Sequence, residues 1–147
     1  MSTTEVVNVA QNTGLRAQVA SLNDGEVSVF SSIVGDDFAS KKAVVQALTA
    51  SKPIRDHLGT VIPLTHVVVQ VVQMENEQTK QIEDTPRVVL IDSDGNSYHA
   101  ISGVILNDIQ NIMGIVGAPA TWPEPIDVVV SEERANSGRR FMTLTLV

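Results

Sequence analysis

The stretch RVVLIDSDGNSYHAISGVILNDIQNIMGIVG, Arg87–Gly117, decides the fold, because its turns are spelled out and its hydrophobic period changes once. Arg87–Ile91 and Ser97–Ile101 are short apolar runs joined by Asp92-Ser93-Asp94-Gly95-Asn96. An Asp-Gly pair supplies the positive φ that a tight hairpin turn needs, so the two runs read as paired strands. From Val104 the alternation stops. Ile105, Ile109, Ile112 and Val116 recur at i, i+4, i+7 and i+11 while Asn107, Gln110 and Asn111 fall elsewhere, which predicts an amphipathic helix over Val104–Val116. Gly117 suits its C-terminal cap, and Pro119, Pro123 and Pro125 prevent continuation.

Upstream of this stretch, Val61–Met74 reads as one long strand whose Pro63 has to lie at an edge. Glu75–Asp84 is acidic and opposed only by Lys80, which predicts an exposed loop, with Pro86 fixing its exit. Downstream, Ile126–Val130 and Arg140–Leu146 read as strands separated by the loop Ser131–Arg139. The order from Thr60 is therefore strand, strand, strand, helix, strand, strand, which is that of an OB-fold. Before it, Asp36 or Asp37 can cap a helix carrying Phe38, Ala43, Val44, Val45, Ala47 and Leu48, which Pro53 stops. Earlier still, Asn23-Asp24-Gly25 between Leu15–Val19 and Glu26–Phe30 predicts a further hairpin, and residues 1–14 a polar arm. The expected fold is β-dominated α+β. An OB-like five-stranded barrel over residues 58–147, with a helix between strands three and four, is preceded by an N-terminal strand and helix extension over residues 1–57. The arm, hairpin and helix of that extension are expected to pack on the barrel as one compact unit.

A chain of 147 residues is the length of one ordinary domain, and 43% hydrophobic with 18% charged residues is a globular composition. Ten Lys and Arg against 17 Asp and Glu give a formal charge of −7, so no global field draws the protein onto polyphosphate and a nucleic-acid site must be local. The absence of cysteine excludes disulfides, thiol catalysis and Cys-ligated metals, and fits a reducing compartment. Met1–Glu5 lacks the basic patch and apolar core of a signal peptide, and no apolar run is long enough to cross a bilayer. The expected location is cytoplasmic.

Catalytic and metal signatures are wanting. His57, His66 and His99 are scattered without a partner at i+4, and Asp92-Ser93-Asp94-Gly95-Asn96 departs from a calcium loop, with Ser97 where Gly is needed and Gly103 where Glu is needed. No phosphate-cradling glycine string and no nucleophile elbow occurs, so an enzyme is not expected and no cofactor or metal is implied. The basic residues carry more information. Arg134, Arg139 and Arg140 cluster about the last loop and Arg87 opens the second strand, where an OB-fold binds strands. They either contact phosphate or, in the loop, are neutralised by Glu132 and Glu133. Lys41, Lys42, Lys52 and Arg55 form a second basic group around the first helix. Aromatic side chains are few: Phe30, Phe38, Tyr98, Trp122 and Phe141. Tyr98 and His99 are adjacent on one strand and so point to opposite faces; whichever faces outward can stack on a base, and Tyr98 can instead be core. Trp122 reads as a plug at the barrel end.

The words Val29-Phe30-Ser31-Ser32-Ile33 with Gly35, Leu58-Gly59-Thr60-Val61-Ile62, Arg87 through Tyr98, Thr121-Trp122-Pro123 and Phe141-Met142-Thr143-Leu144 resemble the single-stranded-DNA-binding proteins of small tailed phages and related mobile elements. The likeness runs from about Glu26 to Val147. It implies sequence-independent coating of DNA strands during replication, in the host cytoplasm if phage-encoded, and transfers no binding residues. The expected DNA-binding set is Arg87, Tyr98, His99, Arg134, Arg139 and Arg140, with single-stranded DNA as partner. The acidic loop is a candidate contact for replication proteins, and homo-oligomerisation is left open. The alternative reading is a β-rich structural or adaptor protein that self-assembles through its barrel edges and N-terminal arm without binding nucleic acid.

Overall fold

The computed structural model of the protein describes residues 29–147. The N-terminal arm, the run Leu15–Val19 and the turn at Asn23-Asp24-Gly25 lie outside the described residues. In chain order the elements are β1 (Val29–Ser31), α1 (Phe38–Thr49), β2 (Lys52–Pro53), a 3-10 turn (Ile54–His57), β3 (Val61–Glu75), β4 (Ile82–Asp92), β5 (Ser97–Ile101), α2 (Gly103–Val116), a second 3-10 turn (Pro119–Thr121), β6 (Ile126–Arg134) and β7 (Arg140–Leu146). All seven strands belong to one curled sheet, ordered β2-β5-β4-β3-β6-β7 with β1 added on β3, and the fold is β-dominated α+β and OB-like.

β3 organises this sheet. Along one edge it pairs with β4 from Leu64 to Glu75; along the other it pairs first with β6, over Val61–Leu64, and then with β1, over Val68–Gln70. The changeover coincides with a bulge between Leu64 and His66. Ile62 and Leu64 point into the main core, and strict alternation would bring His66 in next. The extra residue instead returns Val67 to that core and places Val68 on the opposite face. Thr65 fills the bulge and its hydroxyl reaches the carbonyls of Ile91 and Asp92, both at 3.1 Å. Across the gap between β6 and β1, Ser32 donates its N–H to the Val67 carbonyl at 2.9 Å and accepts the Val67 N–H on its Oγ at 2.8 Å.

Pro63 and Pro86 sit inside long strands for a common reason. The Pro63 carbonyl accepts from Ser93 N–H at 3.0 Å, and the Pro86 carbonyl accepts from Ser102 N–H at 3.2 Å. In a strand the N–H and C=O of one residue point to the same side, so each missing N–H lies where the neighbouring strand has just ended. β4 thus runs straight through Pro86, and the expected acidic loop Glu75–Asp84 shrinks to the turn between Glu75 and Ile82.

Both faces of the sheet are covered in part. Val67, Val88, Leu90, Val128, Val130 and Leu144 enclose the main core with Ile105 and Ile109 of α2. Asp108 of α2 accepts the Leu144 N–H at 3.0 Å, which satisfies an amide of β7. Ile54 closes this core from the other side, and the Gly59 N–H bonds the Val130 carbonyl at 3.0 Å. The segment after β2 therefore bridges from β5 to β6. The opposite face carries Val68, Val89 and Ile91 under Ala47, with Val44 and Leu48 alongside. α1 starts at Asp37, whose carboxylate takes the Ser40 hydroxyl at 2.6 Å and its N–H, holding it below the usual carboxylate range. Of the apolar residues it carries, Phe38 and Val45 are 80% and 57% exposed, because the sheet lies against the Val44–Ala47–Leu48 side. Trp122 packs on the main core and donates its indole N–H to the Gly117 carbonyl at 3.0 Å.

Ile54→Ala and Ile109→Ala each remove a fully buried branched side chain and should cost about 2–5 kcal/mol in urea melts. Asn111→Ala, on the exposed side of α2, should stay within roughly 0.5 kcal/mol. Equal losses in all three would contradict the assigned faces.

Candidate nucleic-acid interface

Beyond the reach of α1, the outer face of the sheet continues through Gln70 of β3, Arg87 of β4, and His99 and Ile101 of β5. The registers Gln70↔Arg87, Arg87↔Ile101 and Val89↔His99 place these residues on one side. Ser51, which follows α1, joins two of them. Its Oγ accepts from Arg87 Nη2 at 2.9 Å and lies 2.8 Å from His99 Nδ1. Burial, and then the Arg87 charge, hold the His99 pKa below the ordinary histidine value.

Tyr98 lies on the other face. With Ala100 it faces the main core, its ring meets that of His57 edge-on at 4.9 Å between centroids, and its hydroxyl reaches Asp92 Oδ2 at 3.4 Å. Burial and the Asp92 carboxylate raise its pKa, which keeps the phenol protonated. Asp92 is itself occupied: Oδ1 accepts the N–H groups of Asp94 and Asn96, each at 2.9 Å, and ties down the β4–β5 turn in which Gly95 takes φ +86°. Turn closure accounts for the Asp-Ser-Asp-Gly-Asn string. Among the described residues no three of His, Asp and Glu are grouped to hold a metal ion.

The arginines of the last loop gather at the end of the β6–β7 ladder, where Arg134 and Arg140 are directly opposite. Arg140 Nη1 meets Glu132 Oε1 at 3.4 Å, and Arg55 Nη1 meets Glu132 Oε2 at 2.7 Å. Among the described residues Arg134, Arg139 and Glu133 form no ion pair, so neutralisation within the loop extends only to the Glu132 contact. Arg55, which the sequence groups with the lysines of α1, is carried by the 3-10 turn to β6 instead. The six residues singled out by sequence thus separate into Arg87 with His99 on the outer face, Arg134, Arg139 and Arg140 at the β6–β7 end, and Tyr98 on the core side. Sequence reasoning missed Ser51, which no local pattern marks, and the contact of Arg55 with Glu132.

His66 stands where the outer face meets the bulge, its Nδ1 3.0 Å from Ser32 Oγ, and burial lowers its pKa. For both depressed histidines the unfolded chain takes up the proton first. They therefore contribute stability above the unfolded value of about 6.5 that is lost as pH falls through the lower folded values. The urea midpoint should fall between pH 7.5 and 5.5, and the double variant His66→Gln, His99→Gln should flatten that fall. A wild-type midpoint that does not change over this range would contradict it.

Residues 23–147 match the model of the phage single-stranded DNA-binding protein family, and the chain belongs to that family. Its members are non-catalytic DNA-binding proteins, and single-stranded DNA is the binding partner of this chain. No curated protein and no solved structure matches it.

Proposed function

We propose that the protein coats single-stranded DNA without reading its sequence, protecting the strand and removing its secondary structure during phage DNA replication. The observation that carries this reading is the Arg87–Ser51–His99 group on the outer face of β4 and β5. We take β3 to β7 as the five strands of an OB barrel, with α2 between the third and fourth. Residues 58–147 are then the barrel and residues 1–57 its extension. On that mapping the group lies on the second and third strands, the surface such barrels offer to oligonucleotides.

Arg87 supplies a fixed cation for phosphate and His99 a flat ring for a base, while Arg134, Arg139 and Arg140 supply further phosphate contacts. Tyr98 supports this surface from beneath, through its packing and its Asp92 contact. The turn flanked by Glu75, Glu77, Glu83 and Asp84 repels the strand and suits a basic patch on a replication protein. The role requires the host cytoplasm; among the described residues no helix is long and apolar enough to cross a membrane.

Self-assembly is supported by a separate observation. Phe30, Val71 and Ile82 are exposed apolar side chains on the α2 face of β1, β3 and β4, and Phe30 lines an apolar cavity of about 450 Å³ with Val69, Leu106, Ile109 and Met113. We read this as the surface through which copies of the chain associate, alongside DNA binding.

Affinity for oligo-dT should fall with salt at a slope of roughly −0.7 per phosphate neutralised. Arg87→Ala should lower that slope. His99→Leu should weaken binding about five-fold with little change in stability, and Tyr98→Leu should lower stability first. Binding should tighten as pH falls toward the depressed pKa of His99, because a phosphate beside it favours the protonated ring. Salt-independent binding, or full affinity in the Arg87→Ala, His99→Leu double variant, would remove the outer face from the site.

A further inference from the structure

The Arg55–Glu132–Arg140 group is more than a surface ion pair in its geometry. Two guanidinium groups from elements far apart in the chain converge on the two oxygens of one carboxylate, at 2.7 Å and 3.4 Å. Both arginine side chains remain open to solvent, 62% and 65% exposed, whereas the Glu132 side chain beneath them is 21% exposed. Arg134 stands on the same face by its register with Arg140, and Arg139 adjoins it; neither has an ion-pair partner among the described residues. In a chain of net charge −7 this is a local excess of cations, with Asp56 and Glu133 the other acidic residues adjacent in sequence or register.

From this arrangement we infer that Arg55 and Arg140 form a phosphate clamp in which Glu132 stands in for the phosphate when DNA is absent. A phosphodiester, like a carboxylate, presents two equivalent anionic oxygens, and arginine meets both groups through the same N–H fork. Exposed ion pairs hold weakly, so a phosphate delivered by a tethered strand can displace Glu132 from one or both guanidinium groups. The displaced carboxylate then faces the incoming charge and lowers affinity, which sets how readily the strand is released. Arg55 is the new member of the site. Its position depends on the buried Ile54 beside it, which anchors the 3-10 turn in the main core.

The inference rests on the single-strand-coating reading, and its test is built to fail separately. Oligo-dT affinity is measured by fluorescence anisotropy at several salt concentrations for the wild-type chain, Glu132→Gln, Arg55→Ala and the double variant, with urea melts giving the folded fraction. Glu132→Gln should bind about five-fold or more tightly at low salt. Arg55→Ala should weaken binding and lower the salt slope by roughly 0.7, the share of one phosphate on a single strand. In the double variant most of the Glu132→Gln gain should be lost. Wild-type binding that is salt-dependent while Glu132→Gln is no tighter, and Arg55→Ala unchanged, would overturn the clamp and leave the outer face standing. Wild-type protein that does not bind oligo-dT at low salt would overturn the coating reading itself.

Discussion

The bulge at Thr65 is the constraint on which the rest of the structure depends. A strand of 15 residues cannot keep one face on a closed core while its partners change, unless its side-chain phase changes with them. Thr65 makes that change at the point where β3 leaves β6, and its hydroxyl fixes the bulge to two carbonyls at the end of β4. One consequence is the pair of cores. Val67 and Leu90 face α2 while Val68, Val89 and Ile91 face α1. Another is the gap left on the free edge of β3, which Ser32 fills by donating to Val67 and accepting from it.

From this frame the location of the basic residues follows. α1 covers the outer face only as far as Ala47 and its neighbours, so Arg87 and His99 emerge beside its end, where Ser51 orders both. A few residues further on, Ile54 and Gly59 bridge the curled sheet, and the same turn delivers Arg55 to Glu132. Neighbouring residues therefore supply the core and the polar surface. Ile54 is core and Arg55 is surface; Tyr98 faces the core and His99 faces the outer side. With only five aromatic side chains in the chain, few rings are available to stack on bases.

Much of the fold is legible in the sequence because its signals are local. The Asp-Gly turn, the i, i+4, i+7 stripe of α2 and the Asp37 cap each act within a few residues, and each appears where the pattern puts it. The bulge left a subtler trace: Leu64 and Val67 share a core at a spacing of three, which no regular strand allows. Pro86 misleads because a proline interrupts a strand only where its N–H would have a partner, and β5 has ended beside it. The acidic residues after Met74 read as a loop because little packs on that end of the hairpin. The arginine set was half legible. Arg87, Arg134 and Arg140 are visible as strand positions and Arg139 as a loop residue, whereas Arg55 reaches Glu132 only through a contact 77 residues along the chain.

The central claim is that DNA lies on the outer face and at the β6–β7 end, held mainly by charge. Chemical-shift perturbation of backbone amides and side-chain resonances on titration with oligo-dT tests it most directly. The account predicts the largest changes at Ser51, Arg87, His99, Arg55 and Arg140, with the Tyr98 ring and the cavity between Phe30 and Met113 little affected at monomeric concentration. Perturbations concentrated on that cavity and on α2, with the arginine resonances unmoved, would contradict it.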